Sequence, residues 1–244
     1  MKKSLVLLCV IFAVSTISFA FSKQITIQLI SLRDRIKKIE YIDFEPPKDQ
    51  VWGIDISHHQ QGIDWNRISD PLPHFLFLKA TEGSTHRDSK YTEYKKKALE
   101  QGIPTGAYHF FSYTSSGKDQ AKNFLKYADL KQGDLPPVLD AEFTSGMPDK
   151  TKVQNELMAF IQYVEEEIGV KPIIYCECDY FDKYLKSKLN VEYTMWISDF
   201  WGEPSCDYQF WQKTDKFKHP AFKGTLDYNL FKGSKKDLES LKIN

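Results

Sequence analysis

The chain has 244 residues with 33 basic and 33 acidic side chains, so its formal net charge is zero. This balance argues against a nucleic-acid-binding protein, which normally carries a clustered basic excess. The length allows one large domain or two small ones, and the 14% of aromatic residues suits either a ring-stacking cleft or an ordinary core.

The N-terminal residues have the pattern of a targeting segment. Lys2 and Lys3 precede an uncharged apolar run that ends in the small residues a signal peptidase requires. We expect residues 1–21 to be a signal peptide or, because the run is long enough to span a bilayer, an uncleaved membrane anchor. Residues 22–50 are predicted to be a spacer. Both alternatives place the remaining domain, residues 51–244, outside the cytoplasm.

Beyond residue 50 the hydrophobic pattern predicts eight short apolar strands, typical of strands that are buried on both faces. They are Val51–Ser57, His74–Glu82, Thr105–Ser112, Pro137–Phe143, Pro172–Cys178, Thr194–Phe200, Tyr208–Lys213 and Thr225–Leu230. Helical segments separate the early strands, and the last three strands lack helices. The five predicted helices are Asp64–Ile68, Ser89–Glu100, Lys118–Tyr127, Thr151–Ile168 and Phe181–Lys188. Alternating strands and helices predict a parallel sheet, and eight strands in one domain predict an irregular, TIM-barrel-like α/β barrel.

The fourth predicted strand, Pro137–Phe143, carries two carboxylates one residue apart, Asp140 and Glu142. Alternate side chains of a strand share a face, so the two acids are expected to stand side by side. Two adjacent acids cannot easily both ionise, and one tends to keep its proton near neutral pH. A protonated acid beside an ionised one can cleave a glycosidic bond. The alternative is a strand-end pair that binds only solvent or a lysine.

Two further acids, Asp55 and Asp227, lie on the first and last predicted strands. Residues at the carboxyl ends of the strands line one mouth of such a barrel, and its first and last strands are neighbours. Asp55 and Asp227 are therefore expected to meet at that seam, with the fourth strand facing them. Taken singly, each could be a turn or capping carboxylate.

Aromatic and amide side chains accompany these acids and could bind sugar rings and their polar substituents. About half of the aromatic residues must face outward between sheet and helices and belong to the core. The residues selected as substrate-binding candidates are Tyr108, Tyr175, Trp196 and Gln212.

The histidines and cysteines predict neither a metal site nor a cofactor. His58 and His59 are adjacent and would point in opposite directions on a strand. The cysteines beyond the leader lack C-x-x-C spacing. In an oxidising compartment Cys206 could pair with Cys176 or Cys178, which would leave one free thiol.

Taken together, several motifs resemble the family 25 glycoside hydrolases, the Chalaropsis-type lysozymes. The motifs are Gly53-Ile54-Asp55-Ile56-Ser57 with Ile63-Asp64-Trp65, Phe77-Leu78-Lys79-Ala80-Thr81-Glu82-Gly83, Gly106-Ala107-Tyr108-His109-Phe110, Leu139-Asp140-Ala141-Glu142, and Trp211-Gln212 with Leu226-Asp227-Tyr228-Asn229. They occur in the family's order across residues 51–231. The resemblance implies a flattened, incomplete (β/α) barrel.

The resemblance also implies hydrolysis of the β-1,4 bond between N-acetylmuramic acid and N-acetylglucosamine in peptidoglycan. By position, Glu142 would be the general acid. Asp140 would orient and polarise the substrate's acetamido group, which can itself attack the anomeric carbon, and Asp55 with Asp227 would maintain the charge field. The expected partner is a peptidoglycan glycan strand, and the protein is expected to be a monomer.

Two alternatives to this activity stay open at the level of the sequence. One is a non-catalytic barrel that binds peptidoglycan or another glycan, although the presence of all four acids speaks against it. The other is a hydrolase of chitin-like chains, although the chain lacks a D-x-x-D-x-D-x-E run.

Overall fold

The computed structural model describes residues 49–189 and 192–244. The predicted leader, residues 1–21, and nearly all of the predicted spacer, residues 22–50, lie outside this part of the chain. Within it, no helix combines the length and apolar character needed to cross a membrane.

The described residues form nine β-strands, eight of which close into a barrel. The strands are β1 (Val51–Ile56), β2 (Phe75–Glu82), β3 (His86–Arg87), β4 (Thr105–Phe110), β5 (Val138–Asp140), β6 (Ile173–Cys176), β7 (Met195–Ser198), β8 (Phe210–Lys218) and β9 (Thr225–Phe231). The barrel order is β1-β9-β8-β7-β6-β5-β4-β2, and it closes because β1 pairs with both β2 and β9. The predicted eight-stranded barrel is confirmed. The short β3, which was not predicted, extends the edge of β2.

The barrel is mixed rather than fully parallel. Neighbouring barrel strands from β1 through β2, β4, β5, β6 and β7 to β8 run parallel, whereas β9 runs antiparallel to both β8 and β1. The expectation of a parallel sheet is therefore wrong for the last strand. The loop at 219–224 between β8 and β9 is too short for the crossover that a parallel pair requires. Consequently β9 begins, rather than ends, at the mouth of the barrel.

Helices cover the outside of the early strands, as predicted. The α-helices of the described residues are α1 (Tyr91–Glu100), α2 (Gly117–Ala128), α3 (Lys150–Ile168), α4 (Cys178–Tyr180) and α5 (Lys235–Ser240). A 3₁₀ turn lies at Trp65–Arg67, and a π-helical turn at Phe181–Leu185 continues α4. The side chain of Asp149 caps the first turn of α3, and Gly169, at a φ of 68°, ends that helix in the left-handed conformation. No helix separates β7, β8 and β9 in the described chain, and α5 after the barrel was not predicted.

Aromatic side chains fill the interior of the barrel below the mouth. The rings of Phe75, Phe77 and Phe210 meet edge to face at centroid distances of 5.2–5.3 Å, and Trp196 stacks on Phe77 at 4.5 Å. We call these four residues the aromatic floor. Gly106 makes room for it, since a Cβ atom there would lie 2.7 Å from the ring of Phe77. The floor fills the barrel interior below the mouth.

Candidate active site

A cavity of about 450 Å³ opens at the mouth, above the aromatic floor. All four predicted acids and all four predicted substrate-binding residues line it: Asp55, Asp140, Glu142, Asp227, Tyr108, Tyr175, Trp196 and Gln212. The prediction did not select the other lining residues, which are Ser57, His59, Lys79, Phe110, Glu177, Ser198, Phe200 and Asp215. The fold therefore gathers side chains from most of the barrel strands into one acidic cavity.

Asp55 and Asp227 meet across the seam of the barrel. They are direct register partners on β1 and β9, and their carboxyl groups are hydrogen-bonded to each other. Burial and the adjacent charge of Asp55 raise the pKa of Asp227 to about 9, so Asp227 holds a proton at neutral pH and donates it to Asp55. The sequence suggested that Asp227 lies at the carboxyl end of its strand, but in the structure it does not. It reaches the mouth because β9 runs antiparallel.

A chain of hydrogen bonds fixes the carboxylate of Asp55. Its Oδ2 accepts from Asn229 Nδ2 at 2.8 Å and from Gln212 Nε2 at 3.1 Å. Trp196 Nε1 in turn donates to Asn229 Oδ1 at 2.8 Å, and the Tyr175 hydroxyl donates to Gln212 Oε1 at 2.8 Å. Burial raises the pKa of Asp55, but these bonds oppose that rise. Asp55 is therefore the ionised member of the seam pair.

This network also shows what two predicted substrate-binding residues do in the structure. One face of the buried Trp196 ring stacks on Phe77, and its Nε1 supports Asn229 from the aromatic floor. Gln212, only 5% exposed, orients Asp55. Asn229 itself was not selected from the sequence, because an asparagine inside a strand has no spacing that distinguishes it from a structural residue.

Asp140 and Glu142 lie beside each other in the cavity although β5 ends at Asp140. Burial raises the pKa of Asp140 well above its usual range, and the charge of Glu142 adds to that rise. Asp140 Oδ1 is buried without a hydrogen-bond partner. An unpaired buried oxygen is costly, and a ligand group in the cavity could satisfy it.

Burial likewise raises the pKa of Glu142. A hydrogen bond donated by Tyr175 would oppose this rise. The single hydroxyl proton of Tyr175, however, is donated to Gln212 Oε1 and is therefore not available to the carboxylate of Glu142. This arrangement favours the protonated form of Glu142.

The backbone of Glu142 is fixed from behind by two tyrosines. The Tyr113 hydroxyl donates to the Glu142 carbonyl oxygen at 2.9 Å. Because that uses the proton of Tyr113, the hydrogen bond between the two tyrosine hydroxyls must be donated by Tyr180. The loop beyond β5 is thus held in one position.

Lys79 is the one lysine or arginine among the described residues that line the cavity. Its Nζ bonds Glu82 Oε2 at 2.7 Å and lies 4.7 Å from the ring centre of Phe110. Its positive charge lowers the pKa of both Asp140 and Glu142, against the larger effect of burial. The indication in the sequence was a lysine within the otherwise apolar run Phe75–Ala80.

Adjacent histidines in a strand would point in opposite directions, but these two do not. Since β1 ends at Ile56, His58 and His59 lie in a turn with ring centroids 4.0 Å apart. His58 Nδ1 pairs with Asp88 Oδ2 at 2.6 Å, whereas His59 lines the cavity. Across residues 49–189 and 192–244, no group of three His, Cys, Asp or Glu side chains is placed to hold a metal ion.

A disulfide bond joins two walls of the cavity. Cys178 at the start of α4 is bonded to Cys206 in the loop at 199–209, and Cys176 is a buried free thiol. Of the two pairings open in the sequence, the structure thus has the one with Cys178. The bond links the segments that contribute Glu177 and Phe200 to the cavity.

An eight-stranded barrel with paired carboxyl groups above a closed floor defines a barrel glycosidase, and comparisons with known proteins agree. Residues 54–222 match the Glycosyl hydrolases family 25. The chain is 31% identical to YegX of Escherichia coli O6:H1 over 98% of this chain and 93% of that protein. It is 28% identical to Lysozyme M1 of Streptomyces globisporus over 80% of this chain and 72% of that protein.

Solved structures support the same assignment. A family 25 glycosyl hydrolase from Bacillus anthracis superposes with a TM-score of 0.75 at 29% identity, covering 83% of this chain and 98% of that chain. The protein belongs to glycoside hydrolase family 25, as its motifs predicted, and it is a glycoside hydrolase.

Proposed function

We propose that the enzyme is a muramidase that cleaves the β-1,4 bond between N-acetylmuramic acid and N-acetylglucosamine in peptidoglycan. The observation that carries this proposal is the juxtaposition of Asp140 and Glu142 in the cavity, both with raised pKa values, opposite an ionised Asp55. Similarity to Lysozyme M1 supports the choice of substrate.

Glu142 is proposed as the general acid. Its raised pKa favours the protonated form, and it gives this proton to the glycosidic oxygen as the bond to the anomeric carbon breaks. The resulting carboxylate then removes a proton from the water that attacks the anomeric carbon, which restores the acid for the next cycle.

Asp140 is proposed to position the substrate's acetamido group. Its unpartnered Oδ1 can accept the acetamido N–H, so that the acetamido oxygen faces the anomeric carbon. That oxygen forms a bond to carbon as the glycosidic bond breaks, and the later attack of water breaks it again. The ionised Asp55, held by two amides and by the proton of Asp227, supplies negative charge near the positive charge that develops on the sugar.

We further propose that the domain acts outside the cytoplasm, where peptidoglycan lies. The disulfide between Cys178 and Cys206 supports this location because such bonds persist mainly in oxidising compartments. A signal peptide or anchor at residues 1–21, a spacer at residues 22–50 and a monomeric state stay predictions.

The test is mass spectrometry of the soluble fragments released from purified peptidoglycan. The expected products end in reducing N-acetylmuramic acid, and Glu142→Gln abolishes their release. The matched control is Glu166→Gln, which makes the same chemical change at an exposed position of α3. Reducing N-acetylglucosamine ends, or a stronger activity on chitin oligomers, would contradict the proposed bond specificity.

A further inference from the structure

Among the described residues, the exposed aromatic side chains follow strands that lead into the mouth of the barrel. In the described part of the chain, five large hydrophobic residues are exposed: Leu72, Leu99, Phe143, Phe200 and Trp201. The three aromatic members follow β5 and β7, the strands that lead into the cavity walls. Trp201 is 93% exposed, far more than the others, so its indole makes little contact with the rest of the protein.

Trp201 follows directly after Phe200, a residue that lines the cavity. Its own amide donates to Asp199 Oδ1 at 2.9 Å, while the Asp199 carbonyl oxygen accepts from Trp211 Nε1 at 2.8 Å. Further along the same loop, the disulfide to Cys178 fixes Cys206. The indole is thus exposed on a loop that is held on both sides, so it can be presented to a ligand at little entropic cost.

The substrate of the proposed function is a polymer, whereas a cavity of about 450 Å³ has the size of a small-molecule site. The remainder of a glycan chain must therefore leave the cavity across its rim. On the β7 side the cavity is lined by Phe200, and Trp201 is the next residue along the chain.

We propose that Trp201 forms an additional glycan subsite, in which its indole stacks on a sugar ring beyond the two sugars that flank the cleaved bond. This inference rests on the proposed function. An indole offers a flat, rigid face for the apolar side of a sugar ring.

Binding is tested in a Glu142→Gln background, so that strands are bound without being cleaved. The probe is a solubilised peptidoglycan glycan strand, and the readout is acrylamide quenching of indole fluorescence. Of the five tryptophans, Trp52 and Trp196 are buried, Trp65 and Trp211 are half-buried, and Trp201 is nearly fully exposed, so Trp201 is the indole most accessible to acrylamide. We expect long strands to protect the indole from acrylamide.

The substitutions Trp201→Ala and Trp201→Phe separate stacking from other effects. Trp201→Ala is expected to raise the dissociation constant for long strands about ten-fold, which corresponds to the loss of one aromatic stacking partner. Trp201→Phe is expected to retain most of the affinity. Leu99→Ala removes another exposed hydrophobic side chain, on α1, and should leave the affinity unchanged.

The active enzyme gives a second readout. Trp201→Ala should raise KM for long strands and leave kcat/KM for the shortest cleavable oligosaccharide unchanged. Equal KM values of wild type and Trp201→Ala on long strands, or equal losses on short and long substrates, would overturn the inference. If wild type releases no reducing ends, the proposed function fails. If wild type cleaves normally and Trp201→Ala matches it, only the additional subsite fails.

Discussion

The raised pKa of Asp227 predicts that Asp227→Asn stabilises the folded protein at neutral pH. At pH 7 the folded protein keeps a proton on Asp227, whose pKa is about 9, whereas the unfolded chain, with a pKa of 3.8, releases it. Each pH unit between 3.8 and the working pH lowers the free energy of unfolding by about 1.4 kcal/mol, so the loss at pH 7 is at most about 4 kcal/mol. Asp55 shares the proton, so we expect roughly 2–4 kcal/mol.

An asparagine can keep the structure while it removes this cost. Its side-chain amide can donate the same hydrogen bond to Asp55 without binding a proton from solution. A group with a raised folded pKa contributes stability that is complete below its unfolded pKa and is lost as pH rises towards its folded pKa. The advantage of Asp227→Asn should therefore be small near pH 4 and should grow up to about pH 9.

Urea denaturation at about pH 4.5 and about pH 8 measures this difference as a change in the free energy of unfolding. Asp207→Asn, at an exposed position in the loop after β7, is the matched control and should show no such pH-dependent gain. If Asp227→Asn has the wild-type stability at both pH values, or is less stable at about pH 8, the assignment of the shared proton is wrong.

Three further predictions concern the cavity and the core. Glu142→Gln should lower the rate of peptidoglycan hydrolysis about 10²–10⁴-fold in reducing-end assays while wall binding in pull-downs survives, and Asp140→Asn should also reduce turnover severely. Lys79→Met removes the cation that lowers the pKa values of Asp140 and Glu142, so the alkaline limb of the pH–rate profile should move to higher pH. His109 is buried and its pKa is lowered to about 4, so wild type should lose up to about 3 kcal/mol in the free energy of unfolding as pH falls from about 6.5 to 4. His109→Gln should remove this loss, which urea denaturation measures.

The outcomes that would contradict these three predictions are distinct. Residual activity of Glu142→Gln within a few-fold of wild type would end its assignment as the acid. An unchanged alkaline limb in Lys79→Met would show that the charge of Lys79 does not act on Asp140 and Glu142. An equal acid-induced loss of stability in His109→Gln and wild type would show that His109 is not held neutral by its environment.

The barrel and the four acids could be predicted from the sequence because both depend on local patterns. Short apolar runs separated by helical repeats predict parallel strands, and the spacing of Asp140 and Glu142 places both side chains in the cavity even though β5 ends at Asp140. The direction of β9 depends instead on the length of one connecting loop. That direction, and not the position of Asp227 along its strand, brings Asp227 to the mouth.

The supporting residues of the site could not be predicted because their roles depend on contacts between distant segments. Asn229 can donate its hydrogen bond to Asp55 only once β1 and β9 are paired. Trp196 resembles a sugar-stacking residue in the sequence, and its further contact with Phe77 arises only when β2 and β7 face each other inside the barrel. The choice of Cys178 over Cys176 likewise follows from the orientation of the chain after β6, where Cys176 is buried within the strand.

Because β1 and β9 close the barrel, the Asp55–Asp227 pair can form only late in the folding of this enzyme. The first and last barrel strands each supply one member of the Asp55–Asp227 pair, so a chain still emerging from the ribosome lacks the partner that shares its proton with Asp55. The contact also spans nearly the whole domain, and such long-range pairings form late because closing a long loop is entropically costly. Catalytic competence should therefore arise only once synthesis of the domain is complete.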